Sequence, residues 1–320
     1  MALYIYTLNA LKHYPCQVMK LLIYGANGWI GKQFTNYLDQ QHTSYVKSQQ
    51  RMDDIAAVRE ELNSGGYTHI LSLIGRTTGV YQGNPINTID YLEKPGGLTL
   101  NVRDNLFAPI SLALLCKELG IHFTYFGTGC IFNYDREHTL GSIFNYSDRE
   151  HVFSPNGWTE EDQPNFFGSS YSIVKGYTDR LMHMFENVLN LRIRMPITKE
   201  NHPRNFITKI TKYEKICSIP NSMTVLHTFF PAILDMMNKG VSGTFNCTNP
   251  GVISHNQILE LYKELVDPQF TWSNFTIQEQ DKILASKRSN NFLDTTKLTQ
   301  LYNIPDIHTA VRETLLTYHV

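Results

Sequence analysis

Thr128, Cys130, Tyr171 and Lys175 are the residues of this chain whose types and spacing could do chemistry. Tyr171-Ser-Ile-Val-Lys175 places a phenol and an ammonium one helical turn apart, because residues four apart share a helix face. A tyrosine, with a pKa ordinarily near 10, becomes a usable acid or base at neutral pH when nearby positive charge stabilises its phenolate. Thr128, in the run Gly127-Thr-Gly-Cys130-Ile-Phe132, adds a hydroxyl able to bond the same carbonyl. Together these groups are what hydride transfer to a ketone needs. A thiol is not needed for that step. With a pKa near 8.5, Cys130 is a competent base once its thiolate is stabilised, and the hydrogens it could remove are those beside the ketone.

The electron donor must be held nearby. Lys20-Leu-Leu-Ile-Tyr24 reads as a short buried strand, and Gly25-Ala-Asn27-Gly28-Trp29-Ile30-Gly31 follows it before a helix. Glycines at this spacing let the backbone turn tightly and approach a pyrophosphate at a helix N-terminus. No acidic residue closes the second strand. Val46-Lys-Ser-Gln-Gln-Arg51 offers Ser48 and Arg51 instead, which suits a ribose 2′-phosphate and hence NADPH. Gly75 and Arg76 follow the third strand.

Elements that could position these groups are legible. Apolar runs at Tyr45-Val46, His69–Ile74, His122–Phe126 and Val188–Met195 alternate with helical patterns. Ile55, Val58 and Leu62 mark one helix, and Leu98–Leu119 another with a kink at Pro109. The expected fold class is α/β, a doubly wound parallel Rossmann sheet with a smaller C-terminal substrate-binding domain. Residues 1–18 read as an extension of unknown role and 19–195 as the dinucleotide-binding domain. Residues 196–320 read as mainly the substrate-binding domain, with a strand near 243–246 returning to the sheet. Ser254-His-Asn-Gln257 is a capping box opening a helix to about Val266, and two short helices follow near 296–301 and 306–317.

Composition narrows the class further. The 320 residues are 42% hydrophobic and 18% charged with net charge −1, so neither a nucleic acid nor a membrane surface is the expected partner. No apolar run approaches the ~20 residues that span a bilayer. Five cysteines, at 16, 116, 130, 217 and 247, show no metal-ligand spacing, so no metal is expected. Cys116 and Cys247 read as core thiols. The sequons at Asn145 and Asn246 read as chance, and the expected location is the cytoplasm. Ile131-Phe-Asn-Tyr-Asp-Arg-Glu-His138 recurs as Ile143-Phe-Asn-Tyr-Ser-Asp-Arg-Glu-His151, a tandem duplication lengthening a loop beside the candidate site.

The chain resembles extended short-chain dehydrogenase/reductases of the dTDP-4-dehydrorhamnose reductase type. Within that group it is similar to the bifunctional epimerase-reductases that make nucleotide-linked L-rhamnose. The resemblance runs from Leu21 to about Thr317. Its strongest stretches are Thr128–Phe132, Arg192–Ile197, Pro203–Lys209, Ile219–Thr224, Thr248–Gly251 and Arg288–Asn291. It implies that Thr128, Tyr171 and Lys175 form the reductase triad, with Cys130 and Lys209 as the epimerising pair. It further implies that Asn105, Thr128, Asn205, Arg288 and Asn290 hold a nucleotide-sugar, and that cofactor and substrate meet at Gly75 and Arg76. The sequence does not fix the oligomeric state, and a homodimer is the assembly to test. Ile74-Gly-Arg-Thr-Thr-Gly-Val80 and the duplicated loop depart from the family pattern and bear on sugar specificity.

The residues themselves leave three readings open. One is a 3,5-epimerase/4-reductase acting on a nucleotide-linked 4-keto-6-deoxyhexose, UDP-linked for preference over dTDP. Another is a 4-reductase in which Cys130 is structural and Lys209 a solvated lysine. The third is a cofactor-binding regulatory subunit without turnover. An intact Thr128, Tyr171 and Lys175 weighs against the last, because a binding module has no use for a proton donor.

Overall fold

The computed structural model describes residues 18–139 and 156–319. The leading segment with Cys16, the second copy of the duplicated octapeptide and the Asn145 sequon lie outside the described residues. The chain begins as β1 (Leu21–Tyr24), α1 (Trp29–Gln40), β2 (Tyr45–Lys47), α2 (Ile55–Gly65) and β3 (His69–Ser72). A hairpin of β4 (Gly79–Tyr81) and β5 (Asn84–Ile86) and a 3-10 turn at Ile89–Glu93 follow. Then come α3 (Gly97–Val102), α4 (Ala108–Glu118), β6 (His122–Thr128), α5 (Ser170–Met182) and β7 (Val188–Ile193). The last third holds α6 (Phe206–Ile210), β8 (Lys215–Ile216), α7 (Phe230–Asn238), β9 (Gly243–Asn246), α8 (His255–Leu265), β10 (Ser273–Asn274), α9 (Ile277–Ile283), α10 (Thr296–Thr299) and α11 (Ile307–Leu316).

Six strands pair in the order β2-β1-β3-β6-β7-β9, all parallel, as the doubly wound expectation requires. Strands buried on both faces read as continuous apolar runs, and β1 and β3 are buried along their whole length. One face carries α1 and α7 through Phe34, Leu38, Phe230, Ile233 and Met237. The other carries α2 and α4 through Val58, Leu62, Leu112 and Cys116. Strand order reverses between β1 and β3, so the crevice beyond their carboxyl ends is where an open α/β sheet takes its ligand. A third apolar cluster, among them Ile207, Val225, Ile258 and Val311, forms a separate layer built from α6, α8 and α11.

The strand expected near 243–246 is β9, at the edge of the sheet, and α7 before it packs in the sheet core as well. One expectation needs correction. The long helix expected over Leu98–Leu119 is broken earlier than its proline, by a π-helical turn at Arg103–Phe107. Pro109 has no N–H for the Asn105 carbonyl four residues back. That carbonyl accepts instead from the Thr178 hydroxyl of α5 at 2.6 Å.

Candidate active site

The glycine turn is shaped for close approach. Gly25 has φ +81°, a left-handed conformation. A Cβ on Gly31 would stand 2.2 Å from the Gly25 carbonyl oxygen, so only glycine lets α1 start against the turn. Gly28 is the N-cap, without a side-chain cap, and the first turn of α1 contains no acid. Its first N–H groups therefore face the crevice as donors for an anion, and the residues present fit a dinucleotide pyrophosphate. Trp29 is buried and stacks on His202, ring centroids 5.3 Å apart and planes 4° from parallel.

Thr128 ends β6, and its Oγ1 accepts the Cys130 N–H at 3.1 Å. The same hydroxyl lies close enough to the Tyr171 phenol to lower its pKa. Cys130 is a free, half-buried thiol. Its carbonyl accepts from Ser172 Oγ at 2.8 Å, tying the loop to the first turn of α5, which Ser169 caps. Burial, and then the nearness of Cys130, push the Tyr171 phenol well above its ordinary value, with Thr128 working the other way. Tyr171 is thus a protonated donor at neutral pH.

Lys175 is 3% exposed, and its Nζ donates to the Tyr125 hydroxyl on β6. Burial brings its ammonium down to about 8, against the pull of Asp179 and Cys130. Asp179 lies one further turn along α5. Burial opposes its ionisation, but two bonds of 2.9 and 2.7 Å from Arg192 on β7 outweigh that and keep it below the usual carboxylate range. Thr128, Cys130, Tyr171 and Lys175 are therefore one cluster at the carboxyl end of β6, with Cys130 close enough to act on Lys175.

Lys209 is held differently. It lies on α6, half-buried, and burial with the like charges of Arg204 and Arg288 lowers its pKa. Arg204 reaches Thr78 Oγ1 at 3.2 Å. Arg288 is paired with Asp90 of the 3-10 turn, whose neighbour Glu93 accepts from Ser170 N at 2.8 Å beside Tyr171. Buried Arg194 positions the strip carrying Arg288 and Asn290 through bonds to Asn291 and Ser289.

Several expected ligand residues have their side chains engaged by the protein. Asn105 is fully buried and clamps both the N–H and C=O of Arg76, at 2.9 and 2.8 Å. It fixes the loop after β3 and has no amide proton left for a ligand, since the other goes to Asn101. Asn205 caps α6 and donates to Thr198 and Glu200 carbonyls. Asn290 accepts from Asn221 and donates to the Arg288 carbonyl. Ser48 gives its proton to Glu61 at 2.8 Å, and Arg51 pairs with Asp53 at 2.9 Å. Arg76 pairs with Asp104. Tyr125, Asp179 and Glu61 were not singled out from sequence. The Lys175–Asp179 spacing was the one local signal available.

No protein-family model matches the chain. Protein L780 of Acanthamoeba polyphaga mimivirus is 50% identical over 297 residues, 92% of this chain and 97% of that protein. The crystal structure of the L780 UDP-rhamnose synthase has a TM-score of 0.84 at 49% identity, covering 94% of this chain and all of that one. A bifunctional dTDP-4-dehydrorhamnose 3,5-epimerase/dTDP-4-dehydrorhamnose reductase of Arabidopsis thaliana is 40% identical over 298 residues, 93% of this chain and 91% of the plant protein. A dTDP-4-dehydrorhamnose reductase of Clostridium acetobutylicum shares the fold, with a TM-score of 0.71 at 17% identity. At these identities and coverages, the chain belongs to the epimerase/reductase family of nucleotide-rhamnose synthesis, within the extended short-chain dehydrogenase/reductases.

Proposed function

We propose that the protein is a bifunctional 3,5-epimerase/4-reductase that converts UDP-linked 4-keto-6-deoxy-D-glucose to the UDP-L-rhamnose form with NADPH. The observation that carries this reading is the placement of Cys130. It shares one cluster with Thr128, Tyr171 and Lys175, close enough to act electrostatically on the last two. A plain reductase gains nothing from a thiol there. The relatives' names support both activities, and the UDP of L780 favours the uridine nucleotide over the dTDP of the plant protein.

The C4 ketone acidifies the hydrogens on C3 and C5. Thr128 and Tyr171 hydrogen-bond the C4 oxygen and stabilise the enolate formed when Cys130 takes a proton. Lys209, made more acidic by burial and by Arg204 and Arg288, returns a proton to the opposite face. Bound NADPH supplies the hydride for C4. Tyr171 then gives its proton to the C4 oxygen, and Lys175 offsets the phenolate charge left behind.

The protein should turn over UDP-4-keto-6-deoxyglucose and NADPH to UDP-rhamnose in D2O, with deuterium at C3 and C5. Reduction without deuterium at either carbon would leave the reductase-only reading, and no turnover the regulatory one.

The partner surface supports a homodimer. Ile173, Tyr177 and Leu181 recur at near-helical spacing along α5, and Met184 lies just past its end, with Tyr177 61% and Met184 71% exposed. Leu98, Phe107 and Leu114 continue this exposed apolar face on the adjoining helices. An apolar stripe of this kind marks an association surface, and a second copy covers it symmetrically. Tyr177→Glu should convert the dimer to a monomer in light scattering. An unchanged mass would place the interface elsewhere.

A further inference from the structure

One oxygen of Glu61 on α2 accepts two hydroxyls, Ser48 at 2.8 Å and Tyr24 at 2.7 Å. Ser48 extends β2 by one residue. Its N–H donates to the Ile23 carbonyl at 3.0 Å, and its Oγ accepts the Gln50 N–H at 3.1 Å. A serine has a single hydroxyl proton, and here it goes to Glu61. What Ser48 offers beyond the end of β2 is lone pairs, which cannot donate to a phosphate. Directly behind stands a carboxylate, at the strand end where dinucleotide folds read the adenosine ribose. Arg51 sits on the same loop with the opposite charge, 63% exposed and tied to Asp53.

We propose that Glu61 is a positioning residue for cofactor choice. Through Ser48 it sets the charge at the ribose 2′ site, disfavouring a 2′-phosphate and tolerating a 2′-hydroxyl. Arg51 and Glu61 then oppose each other, so NADPH is preferred only modestly and NADH also binds. The acid absent from the end of β2 is supplied from α2, thirteen residues later in the chain. This inference rests on the reading of the chain as a dinucleotide-dependent reductase, and it concerns binding, so it can be tested without turnover.

The measurement is the dissociation constant for NADPH and for NADH, read by tryptophan fluorescence, for wild type, Glu61→Gln and Tyr24→Phe. Glu61→Gln is isosteric, keeps an acceptor for both hydroxyls and removes only the charge. The preference for NADPH over NADH should rise by roughly tenfold, through tighter NADPH binding, as expected for one charge removed near a phosphate. Tyr24→Phe loses a donor to the same oxygen but keeps the carboxylate, and its preference should match wild type. An unchanged preference in Glu61→Gln overturns the proposal, as does an equal shift in Tyr24→Phe, which would trace the effect to loosened packing of α2. Failure of wild type to bind either nucleotide would instead sink the dinucleotide reading, and this inference with it.

Discussion

Lys175 donates its ammonium to the hydroxyl of Tyr125, and its Nζ lies 4.5 Å from the centre of that ring. Tyr125 is 1% exposed on β6, three residues before Thr128, so the strand that ends in Thr128 also anchors Lys175. An acceptor on a buried ammonium favours its charged form. Lys175 is depressed to about 8 by burial, so it is charged below that pH and neutral above it. Reduction should therefore show an alkaline limb in kcat/KM near pH 8. Tyr125→Phe should move that limb to lower pH, because the favourable acceptor is gone. A profile level from pH 7 to 9.5 would show that the charge on Lys175 does not govern the step.

Tyr171→Phe removes the donor to the C4 oxygen while leaving ring, helix and lysine in place. Reduction should fall by at least ~100-fold, the usual weight of general acid catalysis, with cofactor binding retained. Near-normal reduction would put the acid elsewhere.

Gly31→Ala tests the cradle. The new methyl would have to displace the Gly25 carbonyl, because 2.2 Å is far inside contact distance. Backbone must move at the anion-binding turn, and the dissociation constant for NADPH should rise by at least about tenfold. A variant that binds as wild type would show that the pyrophosphate does not sit over this turn.

The cluster of Thr128, Cys130, Tyr171 and Lys175 was legible because its parts are local: a Tyr-x-x-x-Lys on one helix, and Thr128 with Cys130 at one strand end. Its supports were not. Whether the Tyr125 hydroxyl meets Lys175 depends on how α5 packs on β6, and a tyrosine in an apolar run gives no sign of it. Glu61 serves Ser48 only because α2 returns alongside β2. The resemblance points to Asn105 and Asn205, yet their amides serve loop backbone and, for Asn105, the Asn101 side chain, which sequence does not reveal. The hairpin of β4 and β5 escaped notice because Gln82 and Gly83 make its turn, at φ 49° and 79°, where Asn-Gly is the usual signal. The helix α9 is opened by a capping box, Thr276 with Glu279, a signal that is local and readable in sequence.

His69 and His122 are paired neighbours on β3 and β6, with ring centres 5.2 Å apart and both buried. Their Nε2 atoms meet the Met237 and Val241 carbonyls, which ties the end of α7 and the loop before β9 to the sheet. Burial lowers both, His122 to about 4. In the unfolded chain each takes a proton near pH 6.5. Between about 6.5 and 4 the unfolded state binds more protons, so stability is full above 6.5 and falls as pH drops through that window. The loss from His122 should be on the order of 3 kcal/mol by pH 4. Urea midpoints at pH 7.5, 6 and 5 check this, and a midpoint that holds or rises on acidification would contradict it.

Cys130→Ser separates the two activities. The hydroxyl keeps nearly the shape of the thiol but is far too weak an acid to give an anion at neutral pH. Removal of the C3 and C5 protons depends on that base, so epimerisation should collapse. Reduction uses Thr128, Tyr171 and Lys175, and these keep their contacts, because the loop is held by the Cys130 backbone through Thr128 Oγ1 and Ser172 Oγ and not by the thiol. The variant should still reduce an already epimerised 4-keto substrate within a fewfold of wild type. It should also incorporate no solvent deuterium at C3 or C5 of the unepimerised one. Undiminished exchange at both carbons would return Cys130 to the role of a packing thiol. Loss of both activities together would mean that the thiol, by its nearness to Tyr171 and Lys175, serves the hydride step as well.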